Sequence, residues 1–270
     1  ITCRDWSSDV CSSDLLKNFD LLVAFHELTE VVRQASNSGI LSNATGVRKL
    51  IQQQKADIPV FKTNAWDDFV SIKGEELIES IDKSYSTCGL DQTMIVCRSN
   101  KRANNFNKGI REKILFREEE ISSGDLLMVV KNNYYWTFAS GMEGFIANGD
   151  IVKLIRIKKF EERYGFRFVH ASVELTDYEN LQLDVILLLD AIWAETPALS
   201  ADDNKNLFYS VLEDYSHLKT RKEQYTRVKE DPYFNAIQVK FAYAVTCHKA
   251  QGGQWQHVYV DQGYFTHDML

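Results

Sequence analysis

Apolar positions along this 270-residue chain follow a helical spacing first, then short continuous runs, then alternation. From Phe19, the residues Phe25, Leu28, Val31 and Val32 recur at three- and four-residue intervals, which predicts a helix. SNSG (Ser36 to Gly39) breaks it. ILSNATGVRKLIQQQ predicts a second helix, marked by Ile40, Leu41, Val47, Leu50 and Ile51. DIPVFKTNAWDDF, around Pro59, reads as a loop with a short strand, and GEELIESIDKSYSTCG as a helix ended by Gly89.

The pattern then changes. QTMIVCRS carries Met94, Ile95, Val96 and Cys97 as one apolar run, the mark of a strand buried on both faces in a parallel sheet. A helix over NKRANNFNKGIREKILF follows, so this region reads as α/β. GDLLMVVKNN, GFIANGDIVKLIRIKKF and GFRFVHASVEL are β-rich, with turn signals at Asn148-Gly149 and Tyr164-Gly165, and predict a small antiparallel barrel. LQLDVILLLDAIW reads as another buried strand. DDNKNLFYSVLEDYSHLKTRKEQYTRVKED reads as one long helix capped near Ser200 or Asp202. Beyond Pro232, Ile237, Val239, Phe241, Tyr243 and Val245 alternate as a strand. Gly252 and Gly253 break it, and HVYVD is one more strand. The β-rich middle is thus expected to be an insertion in an α/β domain that starts near 91 and resumes near 233.

Composition narrows the class. With 44% apolar and 12% aromatic residues the chain can bury a core. Its longest apolar run, bracketed by Asp184 and Asp190, is too short to cross a bilayer, and no signal-peptide core opens the sequence; a cytoplasmic protein is expected. Cys3, Cys11, Cys88, Cys97 and Cys247 are scattered without metal-site spacing, as buried, reduced thiols would be. The net charge of −7 disfavours a protein that coats itself in nucleic acid. Residues 98–117, however, hold seven Lys/Arg against Glu112 alone, which predicts a local basic face. The first fifteen residues have no period. They read as a disordered polar tail, or as translated sequencing adapter, which CRDWSSDVCSSDL resembles.

The candidate chemistry is concentrated in FAYAVTCHKAQGGQW, residues 241–255. A hydroxyl, an imidazole and an ammonium group at a strand's C-terminal end, followed by glycine amides, can hold phosphate oxygens. On the residues alone, a phosphate-binding sheet edge and an ordinary strand–turn both fit.

The longer run AYAVTCHKAQGGQWQHVYVD closely resembles motif V of superfamily 1 DNA helicases of the RecD-like branch, which move 5′ to 3′. The resemblance implies that Thr246, His248 and Lys249 face DNA. It implies that Gln251, Gly252, Gly253 and Gln254 abut the nucleotide cleft, Gln254 standing where related helicases often carry Glu. FHELTEVVRQASNSGIL resembles motif IV, which makes Arg33 an arginine finger on the γ-phosphate, with Gln34 beside it. TMIVCRSNKRANNFNKGIR resembles the family's entry into the second motor domain, where Ser99, Asn100, Lys101 and Arg102 would touch the DNA backbone. KNNYYW with FIANGDIVKL resembles the inserted SH3-like 2B barrel. There Tyr134, Tyr135 and Trp136 would stack on bases or pack the barrel core.

The implied fold is an α/β, RecA-like second motor domain interrupted by an SH3-like barrel and preceded by the helical end of the first motor domain. The implied divisions are 1–15 (tail), 16–90 (end of motor domain 1A), 91–120 with 233–270 (motor domain 2A) and 121–232 (2B, its barrel over 121–175). The implied partners are single-stranded DNA and duplex junctions, with ATP and Mg2+ as cofactors of the intact protein. No G-x-x-x-x-G-K-[ST], Asp-Glu pair or G-D-x-x-Q occurs in the sequence. A C-terminal helicase fragment that binds neither cofactor by itself is therefore expected. The rival is a non-catalytic nucleic-acid-binding protein derived from a helicase. A nuclease has little support, because no carboxylates cluster at metal-site spacing.

Overall fold

A computed structural model describes residues 38–53, 58–63, 65–141, 143–178 and 181–263. The chain divides into two compact units, one of residues 1–71 with 266–270 and one of 72–265.

The described part of the first unit is helix α1 (Gly39–Gln52) and irregular chain over 58–63 and 65–71. Ser38 caps α1, its Oγ accepting from Leu41 N–H. Asp68 accepts from Ser38 Oγ (2.6 Å) and Gly39 N (2.8 Å). A Cβ on Gly39 would meet Asp68, Trp66 and Phe69 within 2.9 Å, so only glycine fits there. Asn43 ties α1 to Lys62 through both its amide and its carbonyl. The strand expected around Pro59 does not form among the described residues of that stretch.

In the second unit, α2 (Leu77–Cys88) ends at Gly89, whose φ of +93° favours glycine. Then come β1 (Thr93–Cys97) and α3 (Asn100–Lys113). A closed barrel follows, with β2 (Leu126–Val129), β3 (Ile151–Arg163), β4 (Phe166–Leu175) and β5 (Leu181–Leu188). A one-turn helix, α4 (Tyr135–Ala139), sits between β2 and β3. Helices α5 (Ala201–Asp214) and α6 (Arg221–Lys229) lead to β6 (Ile237–Phe241), β7 (Ala244–Thr246), the short α7 (Cys247–Ala250) and β8 (His257–Asp261).

Strands β7, β1 and β8 form a parallel sheet in that order. The central β1 is buried along nearly its whole length, as its apolar run requires. The barrel lies in sequence between β1 and β7, two strands that pair directly.

Four expectations change. The alternating stretch 237–245 is two strands: β6 closes the barrel against β2 and β5, and β7 joins the parallel sheet. Ala242 and Tyr243, both buried, make the crossing, and burial is continuous from Phe241 to Val245 where the partner sheet changes. The barrel therefore extends past residue 232, and its β5–β6 pairing is parallel. The single long helix after Ser200 is two, because Thr220 and Glu223 form a capping box that starts α6 anew. Finally, α2 packs with the second unit. Ile81 lies in the core shared by sheet and barrel, and Ser84 and Ser80 meet Tyr259 OH of β8 at 2.7 and 2.6 Å. Residues 72–90 thus group with the sheet and not with the helix before them.

One buried network fixes the passage between barrel and sheet. Asp125 is fully buried and accepts from Arg111 (3.2 Å at each oxygen), Arg117 Nη1 (2.5 Å), Tyr243 OH (2.8 Å) and Ser122 N (2.7 Å). The Arg111 guanidinium also lies 4.5 Å from the Phe241 ring centroid. The helix after β1, the entrance to β2 and the β6–β7 crossing thus meet at one carboxylate.

Candidate nucleic-acid interface

Because β7, β1 and β8 run parallel, their C-terminal ends open at one edge. Thr246, Cys97 and Asp261 stand in a single register row there. This is the edge at which open α/β sheets bind ligands.

Ser99 N-caps α3, its Oγ accepting from Arg102 N–H at 3.3 Å. Asn100 Nδ2 donates to Glu195 O (3.0 Å), and Lys101 lies 3.9 Å from the Glu195 carboxylate, both groups well exposed. Arg102 grips Asp261 with both arms, Nε–Oδ2 at 2.8 Å and Nη2–Oδ1 at 2.7 Å, which raises its pKa further.

On the neighbouring strand, Thr246 N-caps α7 without a side-chain cap bond. His248 is exposed. Lys249 is half-buried, and burial lowers its pKa; its Nζ donates to Asn148 Oδ1 on the loop before β3. Lys240 of β6 donates to the carbonyls of Ala191 and Ala194. Burial, with repulsion from Lys249, brings its pKa down to about 8. Asn100, Asn104, Lys240, Thr246 and Lys249 line one shallow cleft between sheet edge and barrel.

Gln251, Gly252, Gly253 and Gln254 follow as an exposed turn. Each glycine has a local cause. Gly252 sits at φ +88°, and a Cβ on Gly253 would fall 2.1 Å from the Trp255 ring. Gly252 is favoured by its backbone conformation and Gly253 by the Trp255 ring packed on it, whether or not a ligand approaches.

Residues 241–270 match the UvrD-like helicase C-terminal domain family. The match opens on the last residue of β6 and takes in β7, α7 and β8, the elements that build this edge. It supports the C-terminal part of a superfamily 1 helicase. No curated protein matches the chain. Among the described residues, no helix is long and apolar enough to cross a membrane, and no His, Cys, Asp or Glu cluster could hold a metal ion.

The edge therefore gathers Ser99, Asn100, Lys101 and Arg102 with Thr246, His248 and Lys249. Arg33 and Gln34 lie outside the described residues. The expected basic face of 98–117 is much reduced: Arg111 and Arg117 turn inward to Asp125, Arg102 is neutralised by Asp261, and Lys108 faces Glu112. Sequence reasoning missed Asp261, Lys240 and Asn148. Asp261 closes the alternating HVYVD strand, a position that signals the same edge. Asn148 read only as a turn residue. Cys97 is buried, its thiol pushed up to about 12 chiefly by desolvation, but Cys247 is exposed, against the expectation of buried thiols. Of the aromatic trio, Tyr135 and Trp136 are half-buried, Trp136 Nε1 donating to Asn235 O at 2.9 Å; Tyr134 faces solvent.

Proposed function

We infer that this chain is part of a RecD-like, ATP-dependent DNA helicase that moves 5′ to 3′ on single-stranded DNA and unwinds duplex at junctions. The parallel sheet belongs to its second motor domain, and the inserted barrel is the SH3-like 2B subdomain. The observation that carries the reading is the common edge: Thr246, on the elements that the helicase family match covers, opens beside the end of β1, which leads into α3. Hydroxyl, amide and ammonium donors at that edge suit backbone phosphates and read no base, as a translocating motor requires.

In the complete protein, Arg33 serves as the arginine finger and Gln34 lies beside it. Gln251, Gly252, Gly253 and Gln254 supply one wall of the nucleotide cleft. Their exposure fits them to be a wall, with the rest of the pocket supplied by other residues. ATP, held with Mg2+, would supply the free energy for cleft closure. This chain's own part is to hold the strand by its phosphates while that closure moves it.

The test is fluorescence anisotropy of a labelled single-stranded oligonucleotide against salt concentration. Affinity should fall linearly on a log–log plot, and Lys249→Ala should reduce the slope by about 1. Salt-independent binding, or none, removes the edge assignment. In the complete protein, Arg33→Ala should abolish turnover and leave strand binding intact.

A further inference from the structure

One exposed surface of the barrel is unlike the rest. Tyr134, Phe138 and Phe145 are 61%, 83% and 40% exposed. Tyr134 and Phe138 lie four residues apart across α4 and so share a face. The rings of Tyr134 and Phe145 are neighbours, with centroids 4.8 Å apart and planes tilted by 31°.

The backbone beneath them is well fixed. Asn133 and Ile146 exchange both backbone hydrogen bonds (2.8 and 2.9 Å). Thr137 Oγ1 donates to Gly144 O, and Asn133 Oδ1 accepts from Tyr135 N and Trp136 N. Asn133 Nδ2 anchors the loop to Asn235 O. Rings held out on a fixed backbone lose little entropy on binding a flat partner.

The patch is also joined to the phosphate-facing edge. Lys249 reaches Asn148, and Asn148 N donates to Asn132 Oδ1 at 2.7 Å. Asn132 and Asn148 each lie within three residues of the Asn133–Ile146 bridge that carries the aromatic rings. Exposed Lys131 adds a cation on this path, and Glu143 is the exposed acid beside it.

We propose that Tyr134, Phe138 and Phe145 form a base-stacking platform for the same single strand whose phosphates lie on the Thr246–Lys249 edge. This rests on the reading given above. Alternation of rings with lysine and amide groups fits an unpaired strand, which presents bases and phosphates in turn. Stacking of this kind tolerates any base, as a motor moving along arbitrary sequence needs.

The experiment compares an oligo-dT with an abasic oligonucleotide of equal length, which keeps the phosphates and lacks the bases. The 270-residue chain should bind oligo-dT about tenfold or more tightly than the abasic strand. Tyr134→Ala/Phe138→Ala/Phe145→Ala should close most of that gap and leave abasic binding unchanged. Because the triple variant could disturb α4, Phe138→Ala alone, at the most exposed ring, should narrow the gap, and Phe138→Trp should restore it. If the chain binds both strands equally, or the variants keep the full gap, the platform is refuted and the phosphate edge stands. A patch that docks a protein instead also leaves the gap untouched. If the chain binds neither strand, the edge reading fails first and the platform falls with it.

Discussion

Removing the Asp125 carboxylate is the sharpest test of how barrel and sheet are joined. Asp125 is fully buried and Arg111 is 4% exposed. In Asp125→Ala, Arg111 loses both carboxylate bonds, Arg117 loses its 2.5 Å partner, and the Tyr243 hydroxyl loses an acceptor. Arg117 has partial access to water, so it can be rehydrated; Arg111 keeps Glu119 O at 2.7 Å, a long 3.5 Å contact to Ser122 Oγ and the face of the Phe241 ring. Breaking a buried ion pair by removing one partner costs about 3–5 kcal/mol, most of it from the charge left behind. Against a typical stability of about 5–15 kcal/mol, that is a large share. Urea unfolding followed by tryptophan fluorescence should show a lower midpoint, corresponding to a loss of unfolding free energy of that size. Tyr243→Phe, which deletes one hydroxyl and keeps the ring, should cost about 1–2 kcal/mol and be non-additive with Asp125→Ala. A loss below about 1 kcal/mol for Asp125→Ala, with an unchanged slope against urea, would refute the claim that this carboxylate fastens the crossing. Single-strand binding should weaken alongside stability, because Tyr243 lies only three residues before Thr246.

Two further predictions concern charge. Glu161 Oε2 accepts from Lys159, Tyr233 and His170, each at 3.0 Å, and the first two lead in holding its carboxyl down to about 2. A folded-state value below the unfolded one stabilises at neutral pH, and that stabilisation is lost as pH falls from about 4.5 towards about 2. The stability difference between the protein and Glu161→Gln should therefore shrink across this window; a difference constant with pH would show that the carboxylate's charge is not involved. Asp261→Asn should free Arg102 at the sheet edge, tighten single-strand binding and steepen its salt dependence. Because the guanidinium is half-exposed, the cost in stability should stay within about 1 kcal/mol; unchanged affinity would mean that Arg102 does not reach the strand.

Periodicity and local chemistry were enough to locate most elements. The apolar run Met94–Cys97 can be satisfied only by burial on both faces, and β1 is the centre of the parallel sheet. Gly89 ends α2 and Ser200 starts α5, because backbone sterics and capping act within a few residues. The motif around Thr246 was legible for the same reason: strand, polar turn and glycines are contiguous.

Tertiary structure decided the rest. The apolar alternation from Ile237 to Val245 marks extended chain but not which sheet it serves, since period two is common to both, and the fold buries all of these residues except Lys240. The change of partner at Ala242–Tyr243 depends on Asp125 and Arg111, which are remote in sequence. The inward turn of Arg111 and Arg117 is likewise invisible in a count of charges, because a cation's partner is set by the fold. So too is the route from Lys249 through Asn148 to the exposed rings, which exists only because β2, α4 and the loop before β3 close against one another. The sequence determined the chemistry available at the edge of the sheet; the fold decided which of those groups face solvent, and which bind each other.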